Sequence, residues 1–360
     1  MNNSDQSILS WKGIIHQYSR YLPVKSEDTV ISLNEGNTPL IRADNFAKSI
    51  GGDFEIWLKF EGLNPTCSFK DRGMTVAVSA AVQKGAETVV CASTGNTSAS
   101  AAAYAARAGI SCTVILPHGK IAQGKLAQAL MYGATVIAVE GNFDQALQIV
   151  RELGSIDKVE VVNSINPLRI EGQKTAAFEI CDTLQRAPDY HFLPVGNAGN
   201  ITAYWRGFKD YFSIQKTDRL PAMFGFQAAG AAPIVNGEPV ANPETVATAI
   251  RIGNPASWQG ANTALQESKG FIDKVEDEEI IHAYKLVAKT EGLFVEPASA
   301  APLAGLIRCA KENRIPSGSV ITASMTGHGL KDPDTAINNA GFSPIVIKPE
   351  LDEVLKTMGL

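Results

Sequence analysis

The run TVVCASTGNTSASAAAYAARAGISCTVILP, residues 88–117, decides the fold. Its β-branched start reads as a short strand and its small polar residues as a turn. Next come an Ala-rich helix closed by Gly109 and a second β-branched strand. The same rhythm recurs outward: EIWLKFE from residue 55, TVIAVE from 135, VEVVNS from 159, HFLPV from 191, MFGFQA from 223 and SVITAS from 319. The spacing predicts helices over 70–84, 97–108, 121–132, 143–153, 170–185 and 200–211, with Gly85 and Gly133 closing two of them. Strands alternating with helices mean an α/β protein with mainly parallel sheets. The Pro- and Gly-richer stretch 229–260 reads as surface loops.

The chain's 360 residues leave room for two lobes with cores of their own. Its 45% hydrophobic and 19% charged residues are those of an ordinary globular protein. Lys+Arg 32 against Asp+Glu 37 gives a net charge of -5. That balance lacks the broad positive field nucleic acid or an anionic membrane needs, so an anionic ligand must be met by a locally built site. The five cysteines are odd in number and show no CxxC spacing, which argues against a disulfide framework and against a zinc site. The start MNNSDQSILSWK shows no basic segment followed by an apolar run, and Thr88 to Ala106 is uncharged but too polar for a membrane span. A cytoplasmic location is expected.

Open α/β sheets bind ligands at the carboxyl ends of their strands. Four polar clusters follow apolar runs here. Ser93-Thr94-Gly95-Asn96-Thr97-Ser98 leads into an Ala-rich helix whose free amides suit an anion. Gly196-Asn197-Ala198-Gly199-Asn200 combines glycines that let backbone approach a ligand with amides suited to phosphate. Asn163-Ser164 is followed by Arg169, a candidate bidentate phosphate ligand, and Thr326-Gly327-His328-Gly329 follows the last strand. A fifth stretch, Gly119 to Lys125, has P-loop spacing, but Leu126 stands where a magnesium-binding Ser or Thr is required.

The segment Asn64-Pro65-Thr66-Cys67-Ser68-Phe69-Lys70-Asp71-Arg72-Gly73-Met74 reads as a turn and a helix start, with Ser68 and Asp71 spaced as a capping box. Lys70 then lies in the first helical turn. The positive end of the helix dipole disfavours its charged form there and favours a nucleophilic amine.

SFKDRGM, STGNTSAS, VNSINPLRIEGQKT, VGNAGN and MTGHGLKDP together resemble the threonine synthase family of fold type II pyridoxal phosphate (PLP) enzymes, with the match running from GNTPL at Gly36 to about Pro333. The resemblance implies two α/β/α lobes with the cofactor between them: a small domain of 63–160, and a large one of 1–62 with 161–360. It implies that Lys70 forms the Schiff base with PLP, that Gly196, Asn197, Ala198, Gly199 and Asn200 cradle its phosphate, that Asn96 bonds its phenolic oxygen and that Thr326 faces its ring nitrogen. A hydroxyl there does not hold that nitrogen protonated as an aspartate would, so a weaker electron sink is expected. Ser93, Thr94, Asn96 and Thr97 would receive the substrate carboxylate. Lys59, Asn163, Ser164, Arg169 and Asn197 would receive its phosphate. No metal is implied. Where the family usually has Gly this chain has Cys67, so the turn before Lys70 must accept a side chain. His328 reads as a packing residue and Glu296 as a loop residue near the cofactor without a chemical step.

The activity implied is a lyase reaction at the end of threonine biosynthesis: O-phospho-L-homoserine and water giving L-threonine and phosphate, in a homodimer. Two alternatives stand beside it: a threonine or serine dehydratase-like eliminase, betrayed by keto acid release, and a non-catalytic phosphate-binding protein, betrayed by the absence of a bound chromophore.

Overall fold

The computed structural model describes residues 11–93, 95–118, 123–141, 143–341 and 344–360, with backbone alone at 123–125 and 143–144. Among them, ten strands form two sheets. The first joins β1 (Leu40–Arg42), β2 (Glu55–Phe60), β7 (Tyr190–Pro194), β8 (Ala222–Ala228), β9 (Phe271–Val275) and β10 (Val320–Met325) in the order β1-β2-β10-β7-β8-β9. The second joins β3 (Thr88–Ala92), β4 (Ser111–Pro117), β5 (Thr135–Val139) and β6 (Val159–Val161) in the order β5-β4-β3-β6. Every pairing is parallel except the edge pair β1–β2. Parallel neighbours need crossovers, and Ala-rich helices such as Asn96–Ala108 supply them.

Both faces of the six-stranded sheet are covered. Phe192, Phe226 and Leu303 pack on one side and Leu193, Phe178, Tyr204 and Phe208 on the other, all buried. Each such side chain stabilises the fold by about 1.5–3 kcal/mol relative to exposure. No helix among the described residues is long and apolar enough to cross a membrane.

The structure departs from the sequence expectations at several places, among them the unexpected helices Trp258–Ser268, Asp277–Glu291 and Pro297–Lys311. Strands β1 and β9 were not expected. The helix expected over 170–185 begins earlier and is two helices, Pro167–Gln173 and Thr175–Leu184: Asn166 caps the first through Leu168 N at 3.0 Å, with Pro167 at its first position. The break at Lys174 coincides with the Thr175 hydroxyl donating to Gly172 O at 2.6 Å. Residues 229–260 are not merely surface loops, because Ala231, Ala247 and Ile250 are buried in the core. The helix expected over 121–132 is seen as Gln123–Met131; residues 119–122, with most of the P-loop-like stretch, lie outside the described residues.

A buried charge network ties the large sheet to the helix Lys70–Gln83. The Arg72 guanidinium makes paired contacts with Glu61 and with Glu179, all four at 2.7 Å, and Lys59 Nζ donates to Glu179 Oε2 at 2.6 Å. Two acids facing two bases, each hydrogen-bonded, offset the cost of taking four charges out of water.

Candidate active site

The turn before Lys70 is zipped to the loop after β10. Phe69 N donates to Thr326 O at 3.0 Å, His328 N donates to Cys67 O at 3.0 Å, and Ser68 bridges to Gly327. Cys67 takes a φ of 64°, the left-handed region, where a side chain is strained. Its half-buried thiol is pushed up by burial. These contacts set Lys70 at the first position of its helix, with Nζ 3.7 Å from the Phe69 ring centroid. Burial and the nearby Arg169 charge bring its ammonium down to about 7, against the opposing pull of Glu296. Near neutral pH the amine is therefore substantially unprotonated, as a nucleophile and base requires.

The expected capping box does not form. Ser68 Oγ meets Lys70 N at 3.4 Å, while the Asp71 carboxylate turns inward to accept from Thr66 N at 2.7 Å, Thr66 Oγ1 at 2.5 Å and Ser100 Oγ at 2.6 Å. Buried between two helices, the acid finds three donors there that a solvent-facing first turn would not give it. It thereby fixes the Lys70 turn against the helix Asn96–Ala108.

Arg169 reaches Lys70 because two helices cross at glycines. A Cβ on Gly73 would lie 2.8 Å from Arg169 O, and one on Gly172 would lie 1.9 Å from Arg72 O. Arg169 is 1% exposed, yet the only hydrogen bond of its guanidinium among the described residues runs from Nη1 to Val162 O at 3.2 Å, and Nε has no partner. Burial lowers its pKa to about 10. Asn163 clamps the end of β3, donating to Ala92 O at 3.0 Å and accepting from Ala92 N at 2.8 Å. Ser164 follows it, half-buried. Beyond β3, Ser93 Oγ accepts from Gly95 N at 3.2 Å and Thr97 is half-buried in the first turn of its helix. Thr94 lies outside the described residues.

After β7, Gly196 to Asn200 turn into the helix Gly199–Ser213 through Ala198, whose φ of 61° is again left-handed. Residues 250–257 shape this turn: a Cβ on Gly196 would press on Ile250 Cα at 3.1 Å, and Asn197 accepts from Ser257 N at 3.0 Å and Ala256 N at 3.3 Å. Asn200 Oδ1 is buried without a partner. A left-handed residue leading into a helix N-terminus presents amides to an anion. Together with a low-pKa lysine at the start of the neighbouring helix, this set of backbone amides fits PLP.

Glu296 closes the site. Its 4%-exposed carboxylate accepts from Asn96 Nδ2 at 3.0 Å and from Thr326 Oγ1 at 3.2 Å. The acid thus joins residues the sequence reading had assigned to the cofactor ring, and its own presence was underrated. The signal was a single charge between Leu293 and Leu303 in a run whose only other polar residue is Ser299. His328 packs, its ring 5.8 Å from Phe60 and 5.9 Å from Phe294. Lys59 is committed elsewhere: its ammonium gives two of its three hydrogens to Glu179 and to Thr38 O, both at 2.6 Å, and its charge is matched by Glu179.

The profile of the family described as pyridoxal-phosphate dependent enzyme matches residues 31–327. A threonine synthase of Synechocystis sp. is 56% identical over 98% of this chain and 92% of its own length. One of Mycobacterium tuberculosis is 56% identical over 97% of both chains, and one of Methanocaldococcus jannaschii is 53% identical over 95% of this chain and 86% of its own. Among solved structures, threonine deaminase isoform 2 of Solanum lycopersicum superposes with a TM-score of 0.72 at 23% identity, covering 86% of this chain and 89% of that one. Maize serine racemase superposes at 0.72 with 20% identity over 85% and 92%. These two share the fold. From its sequence matches, the chain belongs to the pyridoxal-phosphate dependent enzymes and, within them, to the threonine synthase family, with pyridoxal 5′-phosphate as cofactor.

Proposed function

We propose that this chain converts O-phospho-L-homoserine and water into L-threonine and phosphate. The observation that carries the reading is Arg169: a guanidinium 1% exposed, facing no carboxylate among the described residues, with its charge felt at the Lys70 amine. An unpaired buried cation is costly, and an anionic substrate group beside the reactive lysine removes the cost.

In this reading Gly196, Asn197, Ala198, Gly199 and Asn200 hold the cofactor phosphate, Asn96 its phenolic oxygen and Thr326 its ring nitrogen. The substrate carboxylate meets Ser93, Thr94, Asn96 and Thr97; its phosphate meets Arg169, Asn163, Ser164 and Asn197. Lys59 drops out of that set. The bound cofactor supplies an electron sink for charge developing at the substrate. Lys70 takes the Cα proton and then a Cβ proton as general base, for which a pKa of about 7 suits neutral pH. The Cγ–O bond breaks and phosphate leaves. Cγ gains one of the two protons, hydroxide from water adds at Cβ while water's own proton goes to the departing phosphate, and the other proton returns to Cα.

The lobes we propose are 63–160 against 1–62 with 161–360. Closure of one on the other would exclude water from the intermediates, and hydrogen bonds from Asn96 to Glu296 and from Lys331 to Gln128 already cross between them. A homodimer and a cytoplasmic location belong to the same proposal, the first supported by the family resemblance and the second by five free cysteines.

The test is to purify the protein with its cofactor, record the visible band of lysine-linked PLP and add O-phosphohomoserine. Equal release of phosphate and threonine is expected. Keto acid in place of threonine, or no reaction, overturns the assignment.

A further inference from the structure

Glu296 has no role in the scheme above, yet it stands between Asn96 and Thr326. Its place is built: Glu296 N donates to Gly327 O at 2.9 Å, and a Cβ on Gly327 would lie 2.4 Å from the Glu296 carboxyl carbon. Only glycine at 327 leaves room for the carboxylate. Ser299 adds a second layer, with Oγ 3.2 Å from Thr326 Oγ1 and accepting from Gly327 N at 3.1 Å.

Counting protons fixes what Thr326 can offer. A hydroxyl has one hydrogen and two lone pairs. The Thr326 hydrogen goes to Glu296 Oε1. Any third partner, such as a ring nitrogen, therefore meets a lone pair. Asn96 differs, because its amide has two hydrogens and only one is given to Glu296. A nitrogen facing a lone pair forms a hydrogen bond only if it carries the proton itself.

We propose that Glu296, acting through the Thr326 hydroxyl, holds the ring nitrogen of the bound cofactor protonated. The proposal rests on the assignment of Thr326 to that nitrogen. It reverses the expectation that a threonine there means a weak electron sink, since the negative charge sits one hydroxyl away instead of in direct contact. Glu296 is a positioning residue here. Burial pushes the Glu296 carboxyl above its ordinary 4.5; the hydrogen bonds from Asn96 and Thr326 and the Lys70 and Lys331 side chains that face it pull the other way and favour its charged form.

The experiment loads the protein with PLP labelled with nitrogen-15 at the ring and reads the nitrogen shift by NMR, with the visible band of lysine-linked cofactor as the loading control. Wild type is expected at the pyridinium position. Glu296→Gln, which removes the charge, and Thr326→Ala, which removes the relay, are both expected to move toward the unprotonated pyridine position. An unprotonated nitrogen in the loaded wild type overturns the proposal whatever the variants do, and so does a pyridinium retained in either loaded variant. Failure of the wild type to form the band would instead sink the underlying cofactor assignment.

Discussion

Gly172 and Arg72 touch backbone to backbone: a Cβ on the first would stand 1.9 Å from the carbonyl oxygen of the second. Arg169 lies almost one turn before Gly172 and Lys70 almost one turn before Gly73, so this crossing sets the gap between the reactive amine and the buried guanidinium. Gly172→Ala must push the helices apart. Overpacking of this kind costs about 1–3 kcal/mol, and the widened crossing should lower kcat/KM for the phosphorylated substrate as well. Urea unfolding and steady-state kinetics check it; a variant with unchanged stability and unchanged kinetics would show that the crossing does not position the site.

Arg169→Met should separate function from stability. The guanidinium has lost water and gained one backbone carbonyl, and an unpaired buried charge costs several kcal/mol. Thermal denaturation without substrate should find the variant at least as stable as wild type, with cofactor still bound. Removing one partner of a buried charge pair costs about 2 kcal/mol or more, so kcat/KM should fall about 30-fold or further, mainly through KM. An unchanged KM would take Arg169 out of the substrate site.

The local features of this protein were legible and the long-range ones were not. The strand-turn-helix pattern of residues 88–117 and the cluster around Lys70 announce themselves through spacing within one segment. Lys59 reads as an available cation because nothing near it in sequence reveals Glu179, 120 residues away. Asp71 looks like a cap because Ser68 lies at capping distance, whereas its donors come from Thr66 and from Ser100 on another helix. The strand FIDKV carries two charges and is only half-buried, since it lies at a sheet edge, which hides its alternation. Residues 229–260 read as loops through their Pro and Gly, yet Ala247 and Ile250 are buried and Ile250 braces the cradle at Gly196.

His191 makes stability depend on pH. Its ring is buried, 2.7 Å from Thr322 Oγ1 and 3.3 Å from Ser324 Oγ, and burial alone lowers its pKa from 6.5 to about 3. Between those values the unfolded chain takes up a proton that the folded chain refuses. Stability is therefore lost as pH falls from 6.5, by up to about 1.4 kcal/mol per pH unit. Glu179, held well below its usual 4.5 by Arg72 and Lys59 despite burial, adds a loss of the same sign below that pH. Urea midpoints at pH 6.5 and pH 5 should show a slope that shrinks in His191→Gln. An equal slope in both proteins would assign the acid sensitivity to other groups.

Lys70 should reveal its neighbours through its titration. With a pKa of about 7, the neutral amine rises close to tenfold between pH 6 and pH 8 and then levels off. The rate at which cofactor-free protein captures PLP into the lysine-linked form should follow that curve. Arg169 and Glu296 act in opposite directions on the same ammonium. Arg169→Met removes a repulsion and should move the midpoint up, while Glu296→Gln removes an attraction and should move it down, each by about one unit for a single nearby charge. All proteins meet the same PLP, so the cofactor's own titration cancels from the comparison. Absorbance after rapid mixing across the pH range gives the midpoints. A wild-type midpoint near the ordinary 10.5, or shifts of the same sign in both variants, would mean that these two charges do not set the reactivity of Lys70.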